Sequence, residues 1–308
     1  MRVVIIGCGE IGVLCARQLL DAGHQVTGVR RTASALPHWM DSCSADVTNP
    51  VSLEFLRDET IDVIIYQVAA RGFNEQAYRQ AYVEGVANVV EKCQRTSPHL
   101  FFVSSTGVYH QNDGGWVDET SATRPQKFNG QLMLEGEKLV ACVERASSVR
   151  FSGIYGPQRT RLIDRVKNGE SGNDTDAYTN RIHVADCAGV LAHLAVLAYK
   201  ARQLGGQPLQ RVYLASDSLP ALRSDVFNFL ASELGTSNVA ANSVAQQQTD
   251  AIGSRMSPLV KRIAGSKRCC NQRILDTGYQ FLYPDYQSGY RQIISDIASS
   301  DNANNSSF

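Results

Sequence analysis

The chain has 308 residues, 43% hydrophobic and 19% charged, enough for one large globular unit or two moderate ones. Its 30 basic residues balance 30 acidic ones, so no whole-protein field favours nucleic acid or an anionic membrane, and a small molecule is the expected partner. No basic-then-apolar leader opens the sequence and no apolar run approaches the roughly 20 residues of a membrane span, so a cytoplasmic protein is expected.

Residues 3–6 form a β-branched run closed by Gly7, and 11–20 carries apolar side chains at helical spacing (Ile11, Leu14, Cys15, Leu19) up to Gly23. Residues 25–29 read as a second strand, 50–56 as a short helix and 62–68 as a buried strand. A long helix is expected over 75–94, striped by Tyr78, Tyr82, Val86, Val89, Val90 and Cys93. Strand 100–103, helix 130–145 and strand 148–151 complete the alternation. Near-continuous apolar strands alternating with helices predict an α/β fold, a doubly wound parallel sheet covered on both faces.

After Phe151 the rhythm breaks into a loop-rich stretch, 153–180, then an apolar helix at 184–199, a strand at 211–214 and a helix at 221–234. The polar stretch 236–248 reads as a mobile connection, and 299–308 has the composition of a disordered tail. Eight scattered cysteines without a C-x-x-C pair read as buried thiols rather than a disulfide framework, and no cluster suggests a metal.

The first strand ends in Gly7-Cys8-Gly9-Glu10-Ile11-Gly12, where a helix opens. In a G-x-G-x-x-G turn the first glycine permits the bend, the second lets backbone approach a pyrophosphate, and the third packs helix on strand. The free N–H groups and the positive helix end then hold the anion. Residues 1–152, with the helix 182–200, are therefore expected to form a dinucleotide-binding domain. A smaller α/β substrate lobe is expected over 153–181 and 201–298. The second strand ends in Arg30-Arg31, where NAD-binding sites commonly place an acid on the ribose 2′-hydroxyl. A guanidinium can instead grip a 2′-phosphate, so NADP(H) is favoured over NAD(H).

With these motifs the chain resembles the NAD-dependent epimerase/dehydratase family, the extended branch of the short-chain dehydrogenase/reductases. Asp46-Val47 resembles the pair that meets the adenine ring, and Val68-Ala69-Ala70 the small-residue strand end along the cofactor. Phe102 to Tyr109 is similar to the fifth-strand signature, which implies Ser104 beside the cofactor and Ser105 on the substrate oxygen. Arg150 to Pro157 and Arg181 to Ala188 resemble the segments that leave and re-enter the cofactor domain. In that loop the family holds nucleotide-sugar phosphates, which implies Arg159 and Arg161 as substrate ligands. The family's pairing of subunits through helices implies a homodimer.

The family's acid/base is a tyrosine activated by a lysine four residues later, because a phenol near pKa 10 needs a cation beside it to act at neutral pH. Counting on from Pro125, those positions fall on Asn129 and Met133, with Glu137 four residues further on. The usual pair is therefore expected to be missing, as in the atypical subgroup. Tyr109 is a candidate acid, although an aromatic after such a strand also serves as packing. The expected function is an oxidoreductase acting on a carbonyl or hydroxyl of a sugar-like, free or nucleotide-linked molecule. The alternative is a non-catalytic NADP(H)-binding sensor.

Overall fold

The computed structural model describes residues 1–94, 96–170, 177–236 and 265–305. Seven strands, β1 (Arg2–Ile6), β2 (Gln25–Arg30), β3 (Asp41–Ser44), β4 (Val63–Tyr66), β5 (His99–Ser105), β6 (Ala146–Phe151) and β7 (Val212–Ala215), form one sheet. Their order is β3-β2-β1-β4-β5-β6-β7, and every neighbour is parallel. Strand order therefore reverses between β1 and β4, opening a crevice at their carboxyl ends.

Alternation along each strand sorts side chains into two cores. Val3, Ile5, Val63, Ile65 and Phe101 pack beneath helices α1 (Glu10–Asp21) and, farther along, the long Val184–Leu204 helix. Val4, Ile6, Ile64, Tyr66 and Phe102 face the opposite layer: the 3-10 turns of Pro50–Arg57 and the helices that follow β4 and β5. Each buried Val, Ile, Leu or Phe stabilises the fold by roughly 1.5–3 kcal/mol relative to exposure, so a sheet covered on both faces holds most of the hydrophobic driving force.

The expected helix after β4 is interrupted. It runs as α2 (Glu75–Arg79), a π-helical turn Gln80–Glu84, and α3 (Gly85–Cys93). Tyr66 donates its hydroxyl to the Ala81 carbonyl, drawing that acceptor toward the sheet. A Cβ at Gly85 would lie 2.5 Å from the same hydroxyl oxygen, so glycine makes room for it. The following helix, α4 (Phe128–Ala141), begins against the turn Thr106–Val108.

The second lobe holds α5 (Arg161–Lys167), a parallel pair of Gly153–Tyr155 with Arg181–His183, α7 (Arg223–Glu233) and α9 (Tyr286–Asn305), while α8 (Gln272–Asp276) packs on β7 with Ile274 in the core of the large sheet. Between α5 and α7 runs α6 (Val184–Leu204). Tyr155, Ile163, Val226, Phe227, Leu230 and Tyr290 form its own core. Asp186, fully buried in α6, ties the lobe down: its carboxylate accepts from Tyr279 Oη at 2.9 Å, Leu282 N at 2.7 Å and Tyr283 N at 3.0 Å.

Three expectations change, and one strand, β3, is not among the elements expected. β3 has no apolar period because it is an edge strand with mostly exposed side chains. β7 belongs to the large sheet, paired with β6, although a division at residue 201 would place it in the substrate lobe. α9 continues through Asn305, where composition predicts a tail; residues 306–308, and 237–248 of the expected connection, lie outside the described residues. Finally, α6 is long and apolar enough in composition to cross a membrane, contrary to the expectation of no such run. Its apolarity is accounted for by burial against α1 and the sheet.

Candidate functional site

The crevice at the β1–β4 reversal is a cleft of about 670 Å³, within the range of sites that enclose a small organic ligand. Its floor is the turn after β1. Gly7 has φ +78°, and a Cβ there would fall 2.7 Å from the Val68 backbone, so this bend admits only glycine. Gly9 opens α1 as its N-cap, and a Cβ on it would meet nothing nearer than the Gly7 carbonyl at 3.8 Å. That side of Gly9 is open cleft, a cradle that a ligand's diphosphate could fill against the helix N-terminus. Gly7, Gly9, Glu10 and Ile11 line it.

The walls come from the ends of the neighbouring strands. Arg30 ends β2, Arg31 and Thr32 follow it, Asp46 and Val47 follow β3, and Val68 and Ala69 follow β4. Asn88 of α3 donates to the Val47 carbonyl at 2.8 Å, fixing the β3 loop. The Asp46 carboxylate accepts the Thr48 N–H at 2.9 Å and its hydroxyl at 2.8 Å, and that backbone donor holds its pKa below the usual carboxylate value. Four arginines (Arg30, Arg31, Arg71, Arg159) face two carboxylates (Glu10, Asp46) across the cleft, a formal excess of two positive charges (4 − 2). Phosphate groups are the natural counter-charge.

Sequence reasoning missed Thr32, Thr48, Gln67, Arg71, Ala77, Gln80 and Ala81. Ala77, Gln80 and Ala81 stand three and four residues apart, one face of a helix, but that face does not announce a cleft until β4 is placed beside β1. Gln67 directly precedes the small-residue strand end, and its buried Nε2 has no hydrogen-bond partner among the described residues. That atom is buried against Gly12 of α1. The open cradle at Gly9 and the excess of arginines over carboxylates fit a dinucleotide.

Other expected site residues lie elsewhere. Cys8 is buried in the sheet core, its thiol pushed up to about 12 by burial, and is not in the cleft wall. Gly12 serves packing: a Cβ there would collide with Gln67 Nε2 and lie 3.0 Å from Cys8 Sγ and 3.1 Å from Ile5. Ala70, half-buried, and Arg161, exposed at the start of α5, are not among the residues that line the cleft, although Ala69 and Arg71 on either side of Ala70 are. Arg159, expected at the substrate, instead lines this cleft and is ion-paired with Glu10.

Ser104 and Tyr109 are drawn into a buried network. Ser104 Oγ donates to Glu137 Oε1 at 2.5 Å, and Arg150 binds both oxygens of Glu137, at 2.9 and 2.6 Å. Arg150 also donates to Tyr109 Oη at 2.9 Å, which in turn donates to the Asp118 carbonyl at 2.7 Å. Burial pushes the Tyr109 phenol up to about 12, the wrong direction for a base at neutral pH. Both hydroxyls are spent on buried hydrogen bonds, and neither Ser104 nor Tyr109 is among the residues that line the cleft.

Ser105 is different. Its Oγ accepts the Gly107 N–H at 3.0 Å, which leaves its own proton to give. The N-terminus of α4 abuts this turn, since a Cβ at Gly130 would lie 2.6 Å from the Gly107 carbonyl. Asn129 stands at that junction with a buried Oδ1 that lacks a hydrogen-bond partner among the described residues. Met133, one turn on, packs between two apolar clusters.

A doubly wound parallel sheet with a glycine turn at its switch point defines a Rossmann-type α/β protein. Residues 1–259 match the family model described as the RmlD substrate binding domain. A structure from Methylobacillus flagellatus, classed as an NAD-dependent epimerase/dehydratase, is 34% identical, with 96% of this chain and 98% of that one covered and a TM-score of 0.76. The chain belongs to the NAD-dependent epimerase/dehydratase family and has its NAD-binding fold. The fold extends to the Thermus thermophilus UDP-glucose 4-epimerase in complex with NAD (17% identity, 96% and 98% covered, TM-score 0.68). It also extends to the Bacillus cereus UDP-glucuronic acid 4-epimerase with NAD (17% identity, 96% and 99% covered, TM-score 0.70). No curated protein matches the chain.

Proposed function

We propose that the protein is an NADP(H)-binding, epimerase/dehydratase-like oxidoreductase that acts on a carbonyl or hydroxyl of a sugar-like small molecule and works without the usual Tyr-Lys pair. The observation that carries this reading is the cleft that runs from the open side of Gly9 to Arg30 and Arg31. The glycine turn and the N–H groups of α1 would hold the diphosphate, and Arg30 and Arg31 a 2′-phosphate on the adenosine ribose. Val47 supports an adenine-facing wall, and Val68 and Ala69 the path toward the nicotinamide end.

The nicotinamide would supply hydride exchange with the substrate carbon. Ser105, with one lone pair occupied by the Gly107 N–H, keeps its own proton and would donate it to the substrate oxygen. Asn129 offers an amide for binding but no titrating proton, and Met133 has no charge with which to stabilise an anion. The proton must then come through water or from a group on the substrate itself. A nucleotide-linked sugar is the favoured substrate class, in keeping with the relatives that bear UDP-sugar epimerase names.

Thermal shift with NADPH, NADP, NADH and NAD tests the cofactor. Saturation at 100 times Kd stabilises a native protein by about 2.7 kcal/mol, and failure of all four to raise Tm removes the reading. NADPH and NADP should outperform their non-phosphorylated counterparts, and Arg30→Ala with Arg31→Ala should erase that margin. NADPH consumption with a panel of 4-keto nucleotide sugars then addresses turnover, which should collapse in Ser105→Ala.

A further inference from the structure

Every cleft-lining residue falls between Ile6 and Ala81 except Arg159, among the described residues. Arg159 arrives from the second lobe. Its backbone N–H closes a turn on the Gly156 carbonyl at 2.9 Å, and Gly156 is packed so closely on α6 that a Cβ would lie 2.5 Å from Val184 Cγ1. The turn is thus pinned to the helix that packs on α1, while the side chain reaches across to Glu10, the first residue of α1. Arg159 and Glu10 are both partly exposed to the cleft, so neither is locked in place by burial.

Glu10 occupies an unusual place. Its carboxylate stands at the helix N-terminus, beside the open face of Gly9, where the proposed function puts a diphosphate. Two anions would then compete for one positive helix end and one guanidinium. A planar guanidinium matches a diphosphate as well as it matches a carboxylate, and the diphosphate brings more charge. Resting on that function, we propose that Arg159 is a clamp for the cofactor's diphosphate: without cofactor it is parked on Glu10, and on binding it exchanges the carboxylate for the phosphate oxygens. Arg159 is then a ligand of the cofactor rather than of the substrate.

The test is NADPH titration by calorimetry on the wild type, Glu10→Gln, Arg159→Ala and the double variant, with adenosine as a probe that lacks phosphate. Removing the guanidinium should weaken NADPH by about tenfold or more, the size expected for a charge-assisted contact, and leave adenosine unchanged. Arg159→Lys, which keeps the charge without the fork, should fall between wild type and Arg159→Ala. Glu10→Gln should tighten NADPH severalfold, and the double variant should bind it about tenfold or more weakly than Glu10→Gln alone, because the freed guanidinium is then the group removed. A wild type that binds no dinucleotide overturns the function and the clamp together. A wild type that binds NADPH, with Arg159→Ala binding it equally well, overturns the clamp alone. So does Glu10→Gln with unchanged or weakened affinity, which would make the ion pair a strut between lobes.

Discussion

Glu137→Gln isolates the electrostatic cost of the network behind the candidate site. Glu137 and Arg150 have side chains only 7% and 6% exposed and meet through two hydrogen bonds of 2.9 and 2.6 Å. The amide keeps the shape but removes the charge and turns one acceptor into a donor facing a guanidinium. Arg150 retains Tyr109 Oη at 2.9 Å and the Tyr109 ring at 5.0 Å, neither of which neutralises it. Ser104 also loses a charged acceptor. A buried ion left unpaired typically costs about 3–5 kcal/mol, and that is the expected loss. Tyr109→Phe, which deletes two hydrogen bonds and no charge, should cost only about 1–3 kcal/mol. Urea denaturation at constant m reads both values. Combining Glu137→Gln with Arg150→Met should cost less than the two single losses added, because the second change removes the orphaned charge. A Glu137→Gln loss below about 1 kcal/mol, or strict additivity in the double variant, would refute the account.

The first two glycines of the turn should separate folding from binding. Gly7→Ala meets the Val68 backbone at 2.7 Å with φ +78° and should destabilise by more than about 2 kcal/mol. Gly9→Ala meets only open cleft and should leave stability within about 1 kcal/mol while weakening NADPH at least tenfold by calorimetry. Burial pushes buried Asp217 up to about 8, so its proton is retained in the fold above the unfolded pKa near 3.8. Stability from this group is therefore whole below about pH 4 and lost as pH rises toward 8; Asp217→Asn should raise Tm at pH 8 by an amount that vanishes near pH 4. Burial lowers His99 to about 3 and His183 to about 4, so both stay neutral in the fold. Their unfolded forms take up protons below about pH 6.5, and stability should fall from there toward pH 4 by at most about 2–3 kcal/mol per pH unit. Urea midpoints across that window should flatten when His99→Phe is combined with His183→Asn.

Much of the cofactor half is legible because its determinants are local. A β-branched run, three glycines at fixed spacing and an amphipathic helix specify a strand–turn–helix within twenty residues, and Arg30 announces itself at the end of the next strand. Four long-range facts are not local. β3 carries no apolar period because it is an edge, and β7 joins the sheet through a pairing with β6 more than sixty residues away in the chain. The fates of Ser104 and Tyr109 depend on Glu137 and Arg150, each on a different element, so only packing decides that their hydroxyls are structural. Arg159 lies 149 residues from Glu10, and no spacing rule connects them. The sequence by itself determined the glycine turn and the alternation of the sheet. Tertiary structure alone decided which polar side chains face the cleft, because that depends on which strand ends and loops the parallel sheet brings to the β1–β4 reversal.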